Sequence, residues 1–137
     1  WGPFYEEYTS TFPILVLNGH IFSLLGLYDF MRVDKKNDIA KEIFESGMKT
    51  LINSLPIFDL GYWTRYNYCQ ESFYPLIDPA TLSYHRLHIM LLRIINLIKP
   101  NKNIEKTIKS WTNQIGVFNF VKSAKVKYAA LKILNRV

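Results

Sequence analysis

Pro13-Ile14-Leu15-Val16-Leu17-Asn18-Gly19-His20-Ile21-Phe22-Ser23-Leu24-Leu25-Gly26-Leu27-Tyr28 is the stretch on which the fold reading turns. Ile14, Leu17, Ile21, Leu24, Leu25 and Tyr28 recur at the spacing of one helix face. Leu15, Phe22 and Leu27 fall on other sides, so the helix is expected to be buried on more than one side. Pro13 suits a first helical turn, with Ser10 or Thr11 as the cap before it. Residues 12–31 are apolar enough to invite comparison with a membrane span of about 20 residues. Asn18, His20 and Asp29 interrupt the run, which reads as a buried helix.

The pattern extends on both sides of this segment. Ala40, Phe44, Gly47, Met48, Leu51 and Leu55 predict a second helix over Asp38–Ser54, ended by Pro56. Residues 57–77 change character. Tyr62, Trp63, Tyr66, Tyr68, Phe73 and Tyr74 are strand-formers broken by Gly61 and Pro75, which predicts a short aromatic hairpin or extended segment. Asp78-Pro79 reads as a cap and first-turn proline for a third helix reaching Lys99, stopped by Pro100. Ile104, Ile108, Trp111 and Ile115 predict a fourth helix over Asn103–Ile115, ended by Gly116. A fifth, over Val117–Val137, is basic and amphipathic, with Val121, Ala124, Tyr128, Leu131 and Leu134 on one side. The fold class is therefore mainly α.

A chain of 137 residues supports one domain with a real core. With 49% hydrophobic and 20% charged residues it has the balance of a globular protein, not a disordered one. The single Cys69 excludes an internal disulfide and leaves the compartment open. Charge is lopsided. Residues 101–137 hold eight Lys/Arg against one acid, whereas residues 1–100 hold nine against ten. On charge alone, such a tail suits a polyanion, an acidic membrane surface, nucleic acid or simply solvent. The chain opens at Trp1 without an initiator Met or a targeting segment, so it is expected to be part of a longer protein.

The chemistry-bearing residues cluster early. Tyr5-Glu6-Glu7-Tyr8 places two phenols and two carboxylates just ahead of the apolar run. Tyr66 and Tyr84 follow, the first beside Asn67 and the second beside His85 and His88. Such groups can move protons at a carbon centre where the fold tunes the phenols. The alternative is that a tyrosine-rich chain carries them at core edges with satisfied hydroxyls. His85 and His88 are spaced i, i+3 without a carboxylate between, unlike the zinc-protease helix, so no metal is assigned. Tyr84 and His88, at i, i+4, are expected to hydrogen-bond. No nucleophile signature or phosphate-binding loop is present.

Taken in order, Tyr5-Glu6-Glu7-Tyr8, Val16-Leu17-Asn18-Gly19 and Ser23-Leu24-Leu25-Gly26-Leu27-Tyr28-Asp29 resemble the C-terminal domain of D-glucuronyl C5-epimerases. Glu45 to Leu51, Leu55 to Gly61, Thr64-Arg65-Tyr66, Ser83 to Ile89 and Ile104 to Trp111 continue the resemblance, which covers roughly Phe4 to Ile115. These enzymes convert glucuronate to iduronate units within heparan-type polysaccharides.

The resemblance implies helical hairpins forming part of an α/α toroid over residues 1–116, with 117–137 as an appended basic helix. It implies Tyr8, Glu7, Tyr66 and Tyr84 as the proton-handling residues. Asn18, Arg65, His85, Arg86 and His88 become groups that bind substrate or support those that do. It implies no cofactor. The implied partners are an acidic polysaccharide rather than nucleic acid, the N-terminal part of the same enzyme, and at most a second copy. Where animal epimerases follow the Tyr66 equivalent with an aspartate, then an arginine and a histidine, this chain has Asn67, Tyr68, Cys69 and Gln70. The local cation for a substrate carboxylate is therefore missing, with Arg65 or Arg86 as replacements. Two rivals stay open: a uronate polysaccharide lyase on the same framework, and a non-catalytic module that binds acidic glycan or a partner. The basic tail is expected to serve polymer affinity or a partner contact.

Overall fold

A computed structural model describes residues 1–136. Five helices carry the chain: α1 (Leu17–Val33), α2 (Asp38–Phe58), α3 (Leu82–Ile98), α4 (Lys102–Asn113) and α5 (Val117–Ile133). Two short strands, β1 (Leu15–Val16) and β2 (Asn67–Tyr68), pair antiparallel with Leu15 opposite Tyr68 and Val16 opposite Asn67. The mainly α expectation is met. No helix among the described residues is long and apolar enough to cross a membrane.

Helices α1 and α2 form one hairpin and α3 and α4 a second, with α1 against α3 and α2 against α4. Leu17, Ile21 and Leu24 of α1 meet Phe44, Met48, Leu51 and Phe58 of α2, Leu92 and Ile95 of α3, and Ile104 and Trp111 of α4 in one core. Burying each such side chain contributes about 1.5–3 kcal/mol before entropy is counted. Ile14 and Tyr28, assigned to the same face, lie at the core's edge.

Three predicted boundaries move, each for a physical reason. Helix α1 begins at Leu17, not Pro13, and has no side-chain cap. Residues 15–16 are claimed by the ladder to β2, and the Leu17 N–H donates to the Tyr66 carbonyl instead. Ser10 turns its hydroxyl to the Phe12 N–H.

Pro56 does not end α2, which continues to Phe58. Only the final turn loses a hydrogen bond to the proline. In return Phe58 is completely buried, and Arg65 donates to both exposed carbonyls, its N–H to Phe58 and its Nε to Ile57 at 3.0 Å.

The third helix starts at Leu82, capped by the Thr81 side chain, not at Asp78-Pro79. Pro79 is held in an extended bridge opposite Arg65, and the Asp78 side chain is engaged by Lys127.

The later helices differ less. Asn101 caps α4 through the Asn103 and Ile104 amides, and Gly116 opens α5 instead of closing α4. The face α5 buries is not the predicted apolar one. Ser123 and Ala130 are buried while Val121 and Tyr128 are exposed; α5 lies on the connecting segment, with Phe120 against Trp63 and Lys127 over Tyr66, rather than on the helical core. Val137 lies outside the described residues.

That connecting segment, residues 59–81, is extended. Asp59 and Thr64 bridge around a turn in which Gly61 takes a positive φ of 78°, its N–H donating to Asp59 Oδ1. Residues 64–66 then run antiparallel to 78–80, with Tyr66 N–H donating to Asp78 O and Ala80 N–H to Thr64 O, both at 2.8 Å. This places Tyr66 beside the start of α3.

Candidate active site

The N-terminal segment is fixed by a histidine that sequence reading passed over. His20, fully buried on α1, accepts the Tyr5 N–H at Nδ1 (2.9 Å) and donates from Nε2 to the Gly47 carbonyl of α2 (3.1 Å). A carbonyl only accepts, so Nε2 carries the proton and Nδ1 the lone pair. Burial lowers the His20 pKa to about 4, keeping the ring neutral as this arrangement requires. Phe4 stacks on the same imidazole, with centroids 4.3 Å apart.

Two residues further on, Glu7 crosses directly over Gly19. A Cβ there would fall 2.7 Å from Glu7 Cβ and 2.9 Å from Oε2, so the close approach requires glycine. Asn18, buried beside it, donates from Nδ2 to Glu7 Oε2 at 3.3 Å. Val16-Leu17-Asn18-Gly19 is thus the seat of the Tyr5–Tyr8 segment.

Tyr66, from the connecting segment, meets Tyr84, from the first turn of α3, edge to face with centroids 5.0 Å apart. Tyr66 is half-buried, Tyr84 is 37% exposed and Tyr8 is 49% exposed, so the phenols form a partly open cluster. Burial raises the Tyr66 pKa far above the ordinary phenol value. Hydrogen bonding with Tyr8 and the charges of Tyr8, Glu7 and Tyr84 push it the same way. The four proton-handling candidates therefore converge on Tyr66, whose phenol is held firmly in its protonated form.

The histidines lie deeper. His85 and His88 are fully buried, and one hydroxyl joins them: Thr64 Oγ1 lies 3.0 Å from His85 Nδ1 and 3.2 Å from His88 Nδ1. His85 Nε2 must donate to the Trp111 carbonyl (3.1 Å), so its Nδ1 accepts the Thr64 hydroxyl, which in turn accepts from His88 Nδ1–H. His85 also stacks on the buried Trp63, with centroids 3.9 Å apart. Burial lowers the pKa of His85 to about 4 and of His88 to about 3. His88 thus hydrogen-bonds Thr64, where a bond to Tyr84 was expected.

The arginines point elsewhere. Arg65 donates to the Ile57 and Leu76 carbonyls and lies over the Tyr68 ring, at 5.5 Å. Arg86 sits two residues from Tyr84, about 200° around the helix, in a groove with Met90, Arg93 and Ile115. The cation beside the tyrosines is instead Lys127 of α5, 5.0 Å from the Tyr66 ring centroid and 2.6 Å from the Asp78 carboxylate. Lys127 carries no motif and is far from Tyr66 in sequence, and Asp78 reads in sequence only as a helix cap.

Chemically, this is a shallow surface with a carboxylate, three phenols and one ammonium, supported by neutral imidazoles. It suits proton transfer to and from an exposed polar substrate. The sequence profile of the family described as D-glucuronyl C5-epimerase C-terminus matches residues 1–113, which takes in every tyrosine of the cluster and stops before α5. A D-glucuronyl C5-epimerase of Caenorhabditis elegans is 31% identical over 118 residues, covering 78% of this chain and 19% of that protein. An uncharacterised protein of Methanocaldococcus jannaschii is 36% identical over 67 residues, 49% of this chain and 20% of that protein. The chain spans about a fifth of the length of these relatives. A matched profile over most of the chain, running through the residues that converge on Tyr66, shows that the chain belongs to the D-glucuronyl C5-epimerase C-terminal family.

Proposed function

We propose that this chain supplies proton-transfer groups for C5 epimerisation of glucuronate to iduronate within an acidic polysaccharide. The observation that carries the reading is the convergence of Glu7, Tyr8 and Tyr84 on a protonated Tyr66. Epimerisation removes a proton α to a carboxylate and returns one to the opposite face. It therefore needs a base, an acid and stabilisation of the enolate-like intermediate. Tyr66 takes the acid's place. Glu7, aimed by Asn18, takes the base's, with Tyr8 and Tyr84 relaying protons and orienting the sugar. His85 and His88 act from beneath, holding α3 and the connecting segment in register through Thr64.

No cofactor enters this scheme. The α1/α2 and α3/α4 hairpins would be successive arms of an α/α toroid, completed by the remainder of the polypeptide, with α5 appended after the family's own extent.

The test is incubation of the intact protein with unsulfated heparosan in deuterated water, followed by NMR of the polymer. Deuterium at C5 together with iduronate signals is the expected result. An unsaturated, ultraviolet-absorbing sugar would indicate a lyase instead. Binding without exchange would leave a glycan-binding module.

A further inference from the structure

We propose that Lys127 of α5 is a positioning residue of this site, fixing the segment that bears Tyr66 and stabilising the phenolate Tyr66 becomes on releasing its proton. The inference deepens the reading of Tyr66 as proton donor and rests on it.

Three contacts close a loop around one residue. Tyr66 N–H donates to the Asp78 carbonyl at 2.8 Å. The Asp78 carboxylate binds Lys127 Nζ at 2.6 Å. That ammonium lies 5.0 Å from the Tyr66 ring centroid. The pair is largely withdrawn from water, its side chains 18% and 3% exposed for Lys127 and Asp78, so its field is weakly screened. Asp78 thereby anchors the ammonium against the tyrosine, which a surface lysine alone would not achieve.

The groups facing Tyr66 give this charge its role. The N-terminal segment presents Glu7 and Tyr8, α3 presents Tyr84, and all three oppose a negative phenol oxygen. Against them, Lys127 brings its ammonium over the face of the Tyr66 ring. When Tyr66 protonates C5, its O–H bond breaks, the C5–H bond forms, and negative charge moves from the enolate to the phenol oxygen. The ammonium favours that product, and Tyr66 recovers a proton from solvent before the next turnover. Arg65, one of the two cations that the sequence offered, is committed to the carbonyls of Ile57 and Leu76.

The experiment uses the intact protein, heparosan as substrate and four variants: Tyr66→Phe, Lys127→Met, Lys127→Arg and the double variant Asp78→Asn/Lys127→Met. The double variant leaves no unpaired buried charge and so guards against failure to fold. Tyr66→Phe is expected to abolish turnover. Lys127→Met and the double variant are expected to lower kcat about tenfold or more, with KM within about twofold. Lys127→Arg is expected to recover most of the loss. If Tyr66→Phe is inactive while Lys127→Met and the double variant turn over normally, the inference about Lys127 is wrong and the epimerase reading stands. Recovery of kcat in the double variant would reduce Lys127 to a structural partner of Asp78 and overturn the inference too. An active Tyr66→Phe protein would remove the reading on which both rest.

Discussion

Tyr66 and Tyr84 meet edge to face, their ring planes at 78°, although one belongs to an extended connection and the other to a helix. The contact depends on the rings and not on the hydroxyls. Replacing either with phenylalanine should therefore leave packing intact and delete only the proton-handling group. Each variant is expected to lose activity by about 10²–10⁴-fold while melting within a few degrees of the parent. Kinetics on heparosan and a thermal scan check the two halves; a variant that melts early would show that the hydroxyl is structural.

Thr64 gives one hydroxyl to two buried imidazoles. Thr64→Val keeps the shape and strands both Nδ1 atoms. Leaving a buried polar group unsatisfied costs about 1–3 kcal/mol, so a loss of several kcal/mol is expected in urea unfolding. Thr64→Ser should recover most of it. An unchanged urea midpoint for the valine variant would mean that the three-residue network contributes nothing.

His85 and His88 set an acid limit on stability. Their folded pKa values, about 4 and about 3, lie below the unfolded value of about 6.5. The unfolded chain therefore binds protons first as pH falls, and stability drops between about pH 6.5 and pH 3, reaching its plateau above that window. A tenfold difference in proton affinity between the folded and unfolded chain is worth about 1.4 kcal/mol, so the urea midpoint should fall clearly from pH 7 to pH 5. A flat midpoint over that interval would contradict neutral, buried imidazoles.

Gly19→Ala separates stability from function. Alanine inside a helix gains up to about 1 kcal/mol over glycine, yet its Cβ would collide with Glu7. The N-terminal segment must give way, carrying Glu7 off its seat on Asn18. Turnover is expected to fall several-fold or more while the melting temperature holds or rises. Unimpaired turnover would show that Glu7 does not need this seat.

Truncation after Gly116 removes Lys127 together with the helix that covers Asp78, leaving the carboxylate without its cation. Breaking a fully buried pair costs about 3–5 kcal/mol, and the water that reaches Asp78 once α5 is gone offsets part of that. The shortened protein should unfold at markedly lower urea, and adding Asp78→Asn should restore part of the loss. Equal stability with weaker polymer binding would instead return α5 to the accessory role that its charge suggested.

The helices were legible because apolar residues repeat at helical spacing from Leu17 to Leu25, from Ala40 to Leu55 and from Ile104 to Ile115, and because Pro100 marks the end of the third. The tyrosines were legible only as members of an ordered set of motifs. What remained hidden was pairing between distant segments. Pro13 looked like a helix start because nothing local reveals that Leu15 and Val16 pair with Tyr68 and Asn67. Asp78 looked like a cap because its partner Lys127 is remote in sequence. Lys127 itself sat in a lysine-rich stretch where any cation could have been solvated. His20 was read as an interruption of an apolar run, whereas its two nitrogens join two chain segments.

That last arrangement makes the amino-terminal arm a proton-sensitive latch. Protonating His20 turns the acceptor at Nδ1 into a donor facing another donor, the Tyr5 N–H. Acid therefore works against the fastening of the arm that bears Glu7 and Tyr8 in the same range in which it charges the buried His85. Release of the arm and loss of the bundle in acid thus share one cause, the charging of imidazoles that the fold holds neutral in its interior.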